Sequence, residues 1–484
     1  MQQRVEALPG YPKLAKTYQE WRAAAHALDK SEGLLEWRRK DQSEHYDYRS
    51  VKRRIERIRA LRADGDNRGL LFALNEGIHG NLDGMANDQL WRSARSGTKN
   101  LIGEYFSEVA EALDFLASDA VTDITHEEKL DFFQRASHCY GCSALMLSGS
   151  GSYLYFHVGV AMALREQGVL PTIISGSSGG ALVGAVLCCH TGEELDGKLT
   201  TEELHHAMRS PDPLNLPRMA GYVPQSELHD YIEREIPDYT FLEAFQRTGR
   251  QLNISVAPSD RHQNGRLLNA ITSPNVMIRE AVLASCAVPG IYDPVQLNAR
   301  DDSGRRVAYL PGQFWADGSI THDLPFKRLA RLYGVNHRIV SQANPLARPW
   351  LNAFAREGST LSTIHQAAID VGRTMFNAQM ALLDGPLSHF PRVHALARLT
   401  SSVVNQEYLG DINIIRPLMP KLLHKVLSMP TPQEIETMIA CGERETWPQI
   451  EKVRLQSLVS RVLRDILRTH EAFGVFRSGA PLPS

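Results

Sequence analysis

Apolar positions recur at helical intervals toward both ends of this chain and collapse into short unbroken runs in its middle. Val51, Ile55, Ile58 and Leu61 follow a 3–4 spacing, which predicts an amphipathic helix. Lys52, Arg53, Arg54, Arg57, Arg59 and Arg62 fill most of its other positions, and the turn Asp64-Gly65-Asp66-Asn67-Arg68 ends it. A second helix is expected over 98–117, with Leu101, Tyr105, Val109 and Leu113 on one face. No strand-like alternation occurs before Ser143.

From Ser143 the period changes. The run 143–147 reads as a strand, 153–167 as a helix, 172–175 as a second strand, and a helix of small residues continues to about His190. Strand, helix, strand, helix in that tempo is a βαβ unit and implies a parallel sheet. Further strands are expected over 251–256, 306–310 and 338–341. From about Asn344 onward the chain reads as mainly helical, and Leu455, Leu458, Val459, Val462, Leu463, Ile466 and Leu467 form a closing stripe beside Arg454, Arg461, Arg464 and Arg468. The organisation expected is a helical region over 1–138, an α/β domain over 139–345 and a helical region over 346–484.

Composition narrows the class. With 484 residues, 43% apolar and 22% charged, the chain can build a large core, and the disordered, collagenous and disulfide-scaffold classes drop out. A net charge of −2 gives no global attraction for nucleic acid, and no nucleic-acid partner is expected. No apolar run reaches the roughly 20 residues needed to span a bilayer. The first residues lack the apolar core of a secretory signal, so a cytoplasmic protein, peripheral on a lipid surface at most, is the expectation. Six cysteines are no disulfide framework at this length. Cys139 and Cys142 form a CxxC without the second pair that a zinc ribbon needs, so ordinary thiols are the better reading and no metal is expected.

Three clusters can carry chemistry. Gly176-Ser177-Ser178-Gly179-Gly180 fits G-x-S-x-G between a strand and a helix, the context in which a sharp turn exposes a nucleophilic serine. Ser148-Gly149-Ser150-Gly151-Ser152 also links a strand to a helix. Its residues fit neither a Walker loop nor a dinucleotide fingerprint, leaving an oxyanion hole of backbone N–H groups or a plain tight turn. Asp317-Gly318-Ser319 can present a carboxylate at a loop tip, as a proton acceptor for Ser178 or as a turn cap. His322 stands near enough in sequence to keep a Ser–Asp–His order open. His365 and Asp370 spell H-x4-D, a pattern of glycerolipid acyltransferases that arises easily by chance.

Taken in order, Ser148-Gly149-Ser150-Gly151, Gly176 to Gly180, Ala284-Ser285-Cys286-Ala287-Val288-Pro289 and Asp317-Gly318-Ser319 resemble the patatin-like phospholipase family. The stretches Phe156 to Val160, Ser341 to Pro345 and Gly442 to Pro448 resemble its fungal and plant triacylglycerol lipases. Residues around Tyr46 to Tyr48, Gly77 to Gly84 and Gly97 to Ile102 resemble the domain of unknown function that those lipases carry ahead of the patatin domain. Two positions depart from the family's glycine-rich loop: Ser150 and Leu154 stand where glycine is usual, the second at the entry to the helix.

The resemblance implies a three-layer α/β/α domain with a mostly parallel sheet, flanked by helical regions. It implies a Ser178–Asp317 dyad without histidine, flanked by the elbow glycines Gly176 and Gly180 and the Gly318 and Ser319 of the Asp-Gly motif. It assigns Gly149, Ser150, Gly151 and Ser152 to the oxyanion hole. The implied activity is ester hydrolysis on acylglycerols or phospholipids through an acyl-enzyme, with no metal or organic cofactor. Alternatives are a glycerolipid acyltransferase or transacylase, and a non-catalytic scaffold on lipid surfaces. The basic helix 51–62 and the segment 451–468 are either lipid-docking elements or, the favoured reading, core stripes with solvated charges.

Overall fold

The computed structural model describes residues 15–78, 82–199, 223–259, 264–319, 323–344, 409–417 and 430–478. His322, His365 and Asp370 lie outside the described residues. The chain forms two compact units, one from Leu8–Ser143, Tyr333–His337 and Trp447–Ser484, the other from Ala144–Leu332 and Arg338–Thr446.

The first unit is helical. Asp47 caps the helix Tyr48–Ala63, accepting from the backbone of Arg49 and Ser50, and Val51, Ile55 and Ile58 turn its apolar stripe inward. Several charges around that stripe are paired: Arg59 reaches Glu104 at 2.8 Å and Glu108 at 2.7 Å, and Arg62 reaches Glu108 at 3.2 Å. The helix Asn100–Ala117 supplies Leu101, Tyr105, Val109 and Leu113 to the same core. A capping box between Thr125 and Glu128 starts the helix His126–Tyr140. The closing stripe runs as helices Ile450–Gln456 and Leu458–Ser478, and Val459, Leu463 and Ile466 are buried in the common core with Phe132 and Phe133. Both basic segments thus carry the core stripes that the periodicity favoured. Among the described residues, no helix is long and apolar enough to cross a membrane.

The second unit is α/β. Its strands are β1 Cys142–Leu147, β2 Ile173–Gly176, β3 Gln251–Pro258, β4 Arg266–Leu268, β5 Asn298–Arg300, β6 Arg306–Ala308, β7 Trp315–Asp317, β8 Val335–Gln342 and β9 Ile412–Ile415. The main sheet runs β4-β3-β2-β1-β8-β9, and β7 adds to β3. Pairs β1/β2, β2/β3 and β8/β9 are parallel, whereas β4 and β7 are antiparallel to β3. The helices Leu154–Glu166 and Gly179–Cys189 make the two crossovers of the βαβ unit.

Two expectations change here. The strand expected over 306–310 is β6, which pairs only with β5 in a separate two-stranded sheet; Arg306 and Val307 are exposed and give it no face to bury in the main sheet. Strand β9 interrupts the stretch expected to be helical after Asn344, with Ile412 and Ile414 buried in the alternation of a strand. The helix Pro432–Thr446 packs on Leu154–Glu166 with backbones nearly touching. A Cβ on Gly159 would lie 2.0 Å from the Ile439 carbonyl oxygen, and one on Gly442 would lie 2.2 Å from that of Phe156. Only glycine admits this approach.

Candidate functional site

The elbow forms because β2 must reverse into a helix within two residues. Ser178 takes φ 50° and ψ −125°, a conformation that costs an L-residue on the order of 1–3 kcal/mol and lifts its side chain off the turn. The neighbours make that turn possible. A Cβ on Gly176 would sit 2.3 Å from the Gly180 carbonyl oxygen, and one on Gly180 would sit 2.4 Å from that of Leu147. Ser178 donates its N–H to Ser285 Oγ at 3.0 Å, and Ser285 donates in turn to the Ser255 carbonyl at 2.8 Å. The elbow's backbone is thereby tied to the helix Ile278–Cys286 and to β3.

Asp317 ends β7, placed by pairing opposite Val256 of β3 and by its N–H donating to the Ala287 carbonyl at 3.0 Å. Gly318 comes next because a side chain there would strike the backbone of Ser255, 2.1 Å away. The Asp317 carboxylate accepts from the Ser319 N–H at 2.8 Å, and the Ser178 side chain is near enough to favour its charged form. It is 2% exposed. Burial, the largest cause, lifts its pKa to about 7; Ser319 and the nearby Ser178 side chain pull it down, and the charge of Asp323 raises it further. The Cys286 thiol lies near the Ser178 side chain, and burial pushes its pKa up, so it stays protonated. The fold therefore brings the serine and the aspartate to one corner, where burial makes the carboxylate a stronger base than in water.

The loop between β1 and the helix Leu154–Glu166 meets the elbow through a carboxylate that sequence reasoning did not assign. Asp323 is 1% exposed; its Oδ1 accepts from the Gly149 N–H at 2.6 Å and from the Ser177 hydroxyl, and its Oδ2 from Asn344 Nδ2 at 3.3 Å. It clamps the loop, the elbow and the end of β8 together. Asp323-Leu324-Pro325 stands just beyond the Asp-Gly-Ser motif in the chain, but nothing local marks the partners of Asp323, which lie far away in sequence.

This clamp changes the reading of the loop. Of the four residues expected as oxyanion donors, Gly149 has its N–H committed to Asp323. Ser150, Gly151 and Ser152 remain, with Gly151 at φ 52°, a conformation that suits glycine. The Gly179 N–H, at the start of the elbow helix, joins the candidates, since the residue after an elbow nucleophile commonly donates there. The departure at Leu154 is harmless: it opens its helix at φ −52° and ψ −29°, ordinary helical values that need no glycine.

Ser148 and Asp323 are not a second dyad. Ser148 is fully buried, and its Oγ accepts from the N–H groups of Ala343 at 3.0 Å and Asn344 at 3.3 Å. His157 supports the same corner: Nε2–H donates to the Ser148 carbonyl at 3.0 Å, which leaves Nδ1 to accept from Ser341 Oγ at 2.7 Å. Burial lowers its pKa to about 4, so it stays neutral.

Ser178, Gly179, Gly151 and Ser152 open on a cavity of about 110 Å³, walled largely by apolar side chains that include Leu154, Leu182, Leu228, Val288 and Tyr292. An acyl chain fits such a lining. All six cysteines are free thiols. Among the described residues, the grouping with metal-ligand spacing is the exposed trio His229, Asp230 and Glu233, and none of the three lines this cavity.

Comparison with known proteins gives the family. The description of patatin-like phospholipases matches residues 145–330, and that of a domain of unknown function, DUF3336, matches residues 3–138. A patatin-like phospholipase domain-containing protein of Cryptococcus neoformans is 35% identical over 467 residues, 93% of this chain and 53% of that protein. The triacylglycerol lipase ptl3 of Schizosaccharomyces pombe is 32% identical over 464 residues, covering 91% of this chain and 92% of the lipase. The chain thus spans about half the length of some relatives and nearly all of another. The crystal structure of VipD from Legionella pneumophila aligns at a TM-score of 0.30 and 16% identity, over 69% of this chain and 68% of that one, and adds nothing to the argument. Ser178 and Asp317 both fall inside the matched 145–330 segment, and the relatives align along both units rather than the elbow alone: the chain belongs to the patatin-like phospholipase family.

Proposed function

We propose that this protein is a serine lipid acyl hydrolase that cleaves carboxylic esters through an acyl-enzyme, with Ser178 as nucleophile and Asp317 as its base. The observation that carries the reading is a strained elbow serine whose side chain acts on a buried aspartate with a pKa raised to about 7. The chemistry belongs to the 139–345 domain, with 1–138 and 346–484 as its flanking regions.

The steps follow from the groups present. Asp317 takes the proton from Ser178 as Oγ bonds to the ester carbonyl carbon, whose oxygen becomes an oxyanion. Backbone N–H groups of the 150–152 loop and of Gly179 stabilise that charge, helped by the positive end of the elbow helix. Each such donor is worth roughly 3–4 kcal/mol of barrier. The carbon–alkoxy bond breaks, and Asp317 returns its proton to the leaving alcohol. Water then repeats the sequence on the acyl-enzyme, releasing the fatty acid and free Ser178. A lysolipid or glycerol in place of water makes the same site a transacylase. No step uses a metal or an organic cofactor.

The apolar walls beside Ser178 support a long acyl chain, and the relative named as a triacylglycerol lipase supports acylglycerols as substrate, with phospholipids the neighbouring choice. The enzyme meets either at a lipid surface. The test is fluorophosphonate labelling read by intact mass on wild type, Ser178→Ala, Asp317→Asn and His322→Ala. The expected result is labelling that is lost in the first two variants and kept in the third, with kcat on lipid esters falling on the order of 10⁴-fold or more for Ser178→Ala. An unlabelled wild type, with lipid present, overturns the reading in favour of a scaffold.

A further inference from the structure

At the edge of the main sheet, the α/β unit carries a second cavity with no part in the proposed chemistry. It encloses about 340 Å³, and its walls include Arg266 on β4, Arg328 and Arg331 on the helix Phe326–Tyr333, and the hydroxyl-bearing Thr272 and Ser273. Most of the described arginines of this unit face carboxylates: Arg165 pairs with Asp196, Arg247 with Glu194, Arg300 with Asp238 and Glu243, and Arg338 with Asp411. Among the described residues, Arg266, Arg328 and Arg331 form no ion pair. The contacts of Arg266 and Arg328 are neutral. Arg328 donates to the Gly265 carbonyl at 2.6 Å, while Arg266 donates to the Tyr309 hydroxyl at 3.3 Å and lies 5.5 Å from the centre of the Trp315 ring. Three cations around one hollow, with no counter-charge among the described residues, repel one another, and an anion with several acceptor oxygens relieves that.

The register places this hollow next to the catalytic strand. Val256 of β3 is paired with Arg266 on one side and with Asp317 on the other. Residues directly opposite one another share a face of the sheet, so Arg266 and Asp317 stand two strand spacings apart, about 10 Å. Next to Thr272 in the chain, Ile271 leaves a large apolar side chain 52% exposed. Cations around a hollow with an apolar side chain at hand match the interface of a membrane, where phosphoryl groups lie just above the acyl region.

We propose that Arg266, Arg328 and Arg331 form a phosphoryl-binding cleft that seats the α/β unit on the headgroups of anionic phospholipids. The cleft orients the face carrying Asp317 toward the lipid, and it acts whether or not Ser178 is a working nucleophile.

The test is sedimentation of Ser178→Ala protein with vesicles, which separates docking from hydrolysis. Vesicles are phosphatidylcholine alone, or phosphatidylcholine with one part in five phosphatidic acid. Binding to the acidic vesicles is expected to exceed binding to the neutral ones and to weaken with salt. Relative to Ser178→Ala, adding Arg331→Gln is expected to cost about five-fold, and adding all three Arg→Gln changes on the order of a hundred-fold. Arg331 is exposed, so its variant tests the idea even if the triple variant does not fold; thermal melting reports that separately. Equal binding of the parent and the Arg331→Gln protein overturns the proposal. So does calorimetric binding of inorganic phosphate without any preference for acidic vesicles, since the ligand is then a small anion and not a surface. Labelling of Ser178 in the wild type is a separate readout, so failure of the cleft and failure of the hydrolase reading are distinguishable.

Discussion

Asp317→Asn should remove activity and make the protein more stable, and the gain should depend on pH. The wild-type carboxyl is 2% exposed, and its pKa stands at about 7 against an ordinary 3.8, a rise of about three units whose chief cause is burial. Between those two values the folded protein holds a proton that the unfolded chain has released. Raising the pH through that window therefore penalises the folded state, and above pH 7 the penalty is complete. Three units correspond to about 4 kcal/mol. Asparagine has the same shape, can still accept from the Ser319 N–H, can donate to Ser178, and carries no charge at any pH. The difference in unfolding free energy, variant minus wild type, should lie near zero at pH 4 and grow to about 4 kcal/mol by pH 8. The assay is urea unfolding of both proteins across that range, with wild-type kcat/KM measured alongside. That activity should rise with pH along a limb centred near 7, where Asp317 loses its proton. A stability difference that stays flat with pH refutes the reasoning, as does a variant less stable than wild type at pH 8.

Asp323→Asn removes a like charge that raises the pKa of Asp317, so the acidic limb of the kcat/KM profile should move to lower pH; the loosened Gly149 and Ser177 contacts should also cost roughly ten-fold in kcat. An unmoved limb would mean that Asp323 acts on structure alone. Gly180→Ala places a Cβ 2.4 Å from one backbone oxygen and 2.6 Å from another, and should destabilise the α/β unit by about 3 kcal/mol or more, read as a lower urea midpoint or loss of folded protein. Leu463→Ala should cost about 2–5 kcal/mol, because Leu463 is fully buried among the helices of the first unit; an unchanged midpoint with weakened vesicle binding would revive lipid docking for that stripe.

The legibility of each feature in the sequence depends on how locally it is encoded. The helix Asn100–Ala117 and strands β1 and β2 were predicted to within a residue or two, because a face or a run of apolar residues specifies them alone. The elbow was legible because strand, turn and helix are consecutive in the chain. Strands β4, β5 and β7 were not, since three residues carry no period, and each exists through its pairing with a partner. Strand β9 hid in a stretch read as helix, although Ile412 and Ile414 alternate with Asn413 and Ile415. Asp317 was legible as one acceptor for Ser178 with a turn cap as the alternative, and the resemblance decided between them, since the β7–β3 pairing that places it joins residues far apart in the chain. The role of Asp323 escaped altogether: its partners Gly149, Ser177 and Asn344 come from three other elements.

The same residues explain how a serine can be activated here without histidine. A carboxylate at its ordinary pKa is a poor acceptor for a serine proton. Burial, with the charge of Asp323 nearby, raises Asp317 to about 7, while the influence of Ser319 and Ser178 limits the rise. If half of that basicity appears in the rate, the gain is roughly thirty-fold over an exposed carboxylate at the pH where each is ionised. A much larger rise would leave Asp317 protonated near neutrality and useless as a base, so a value near 7 balances strength against availability. The cost, about 4 kcal/mol of folding free energy above pH 7, adds to the strained backbone of Ser178. Both are held at one corner by Ser285, Asp323 and the close-packed elbow glycines, which is why substitutions at those supporting positions should reach activity even where they touch no substrate.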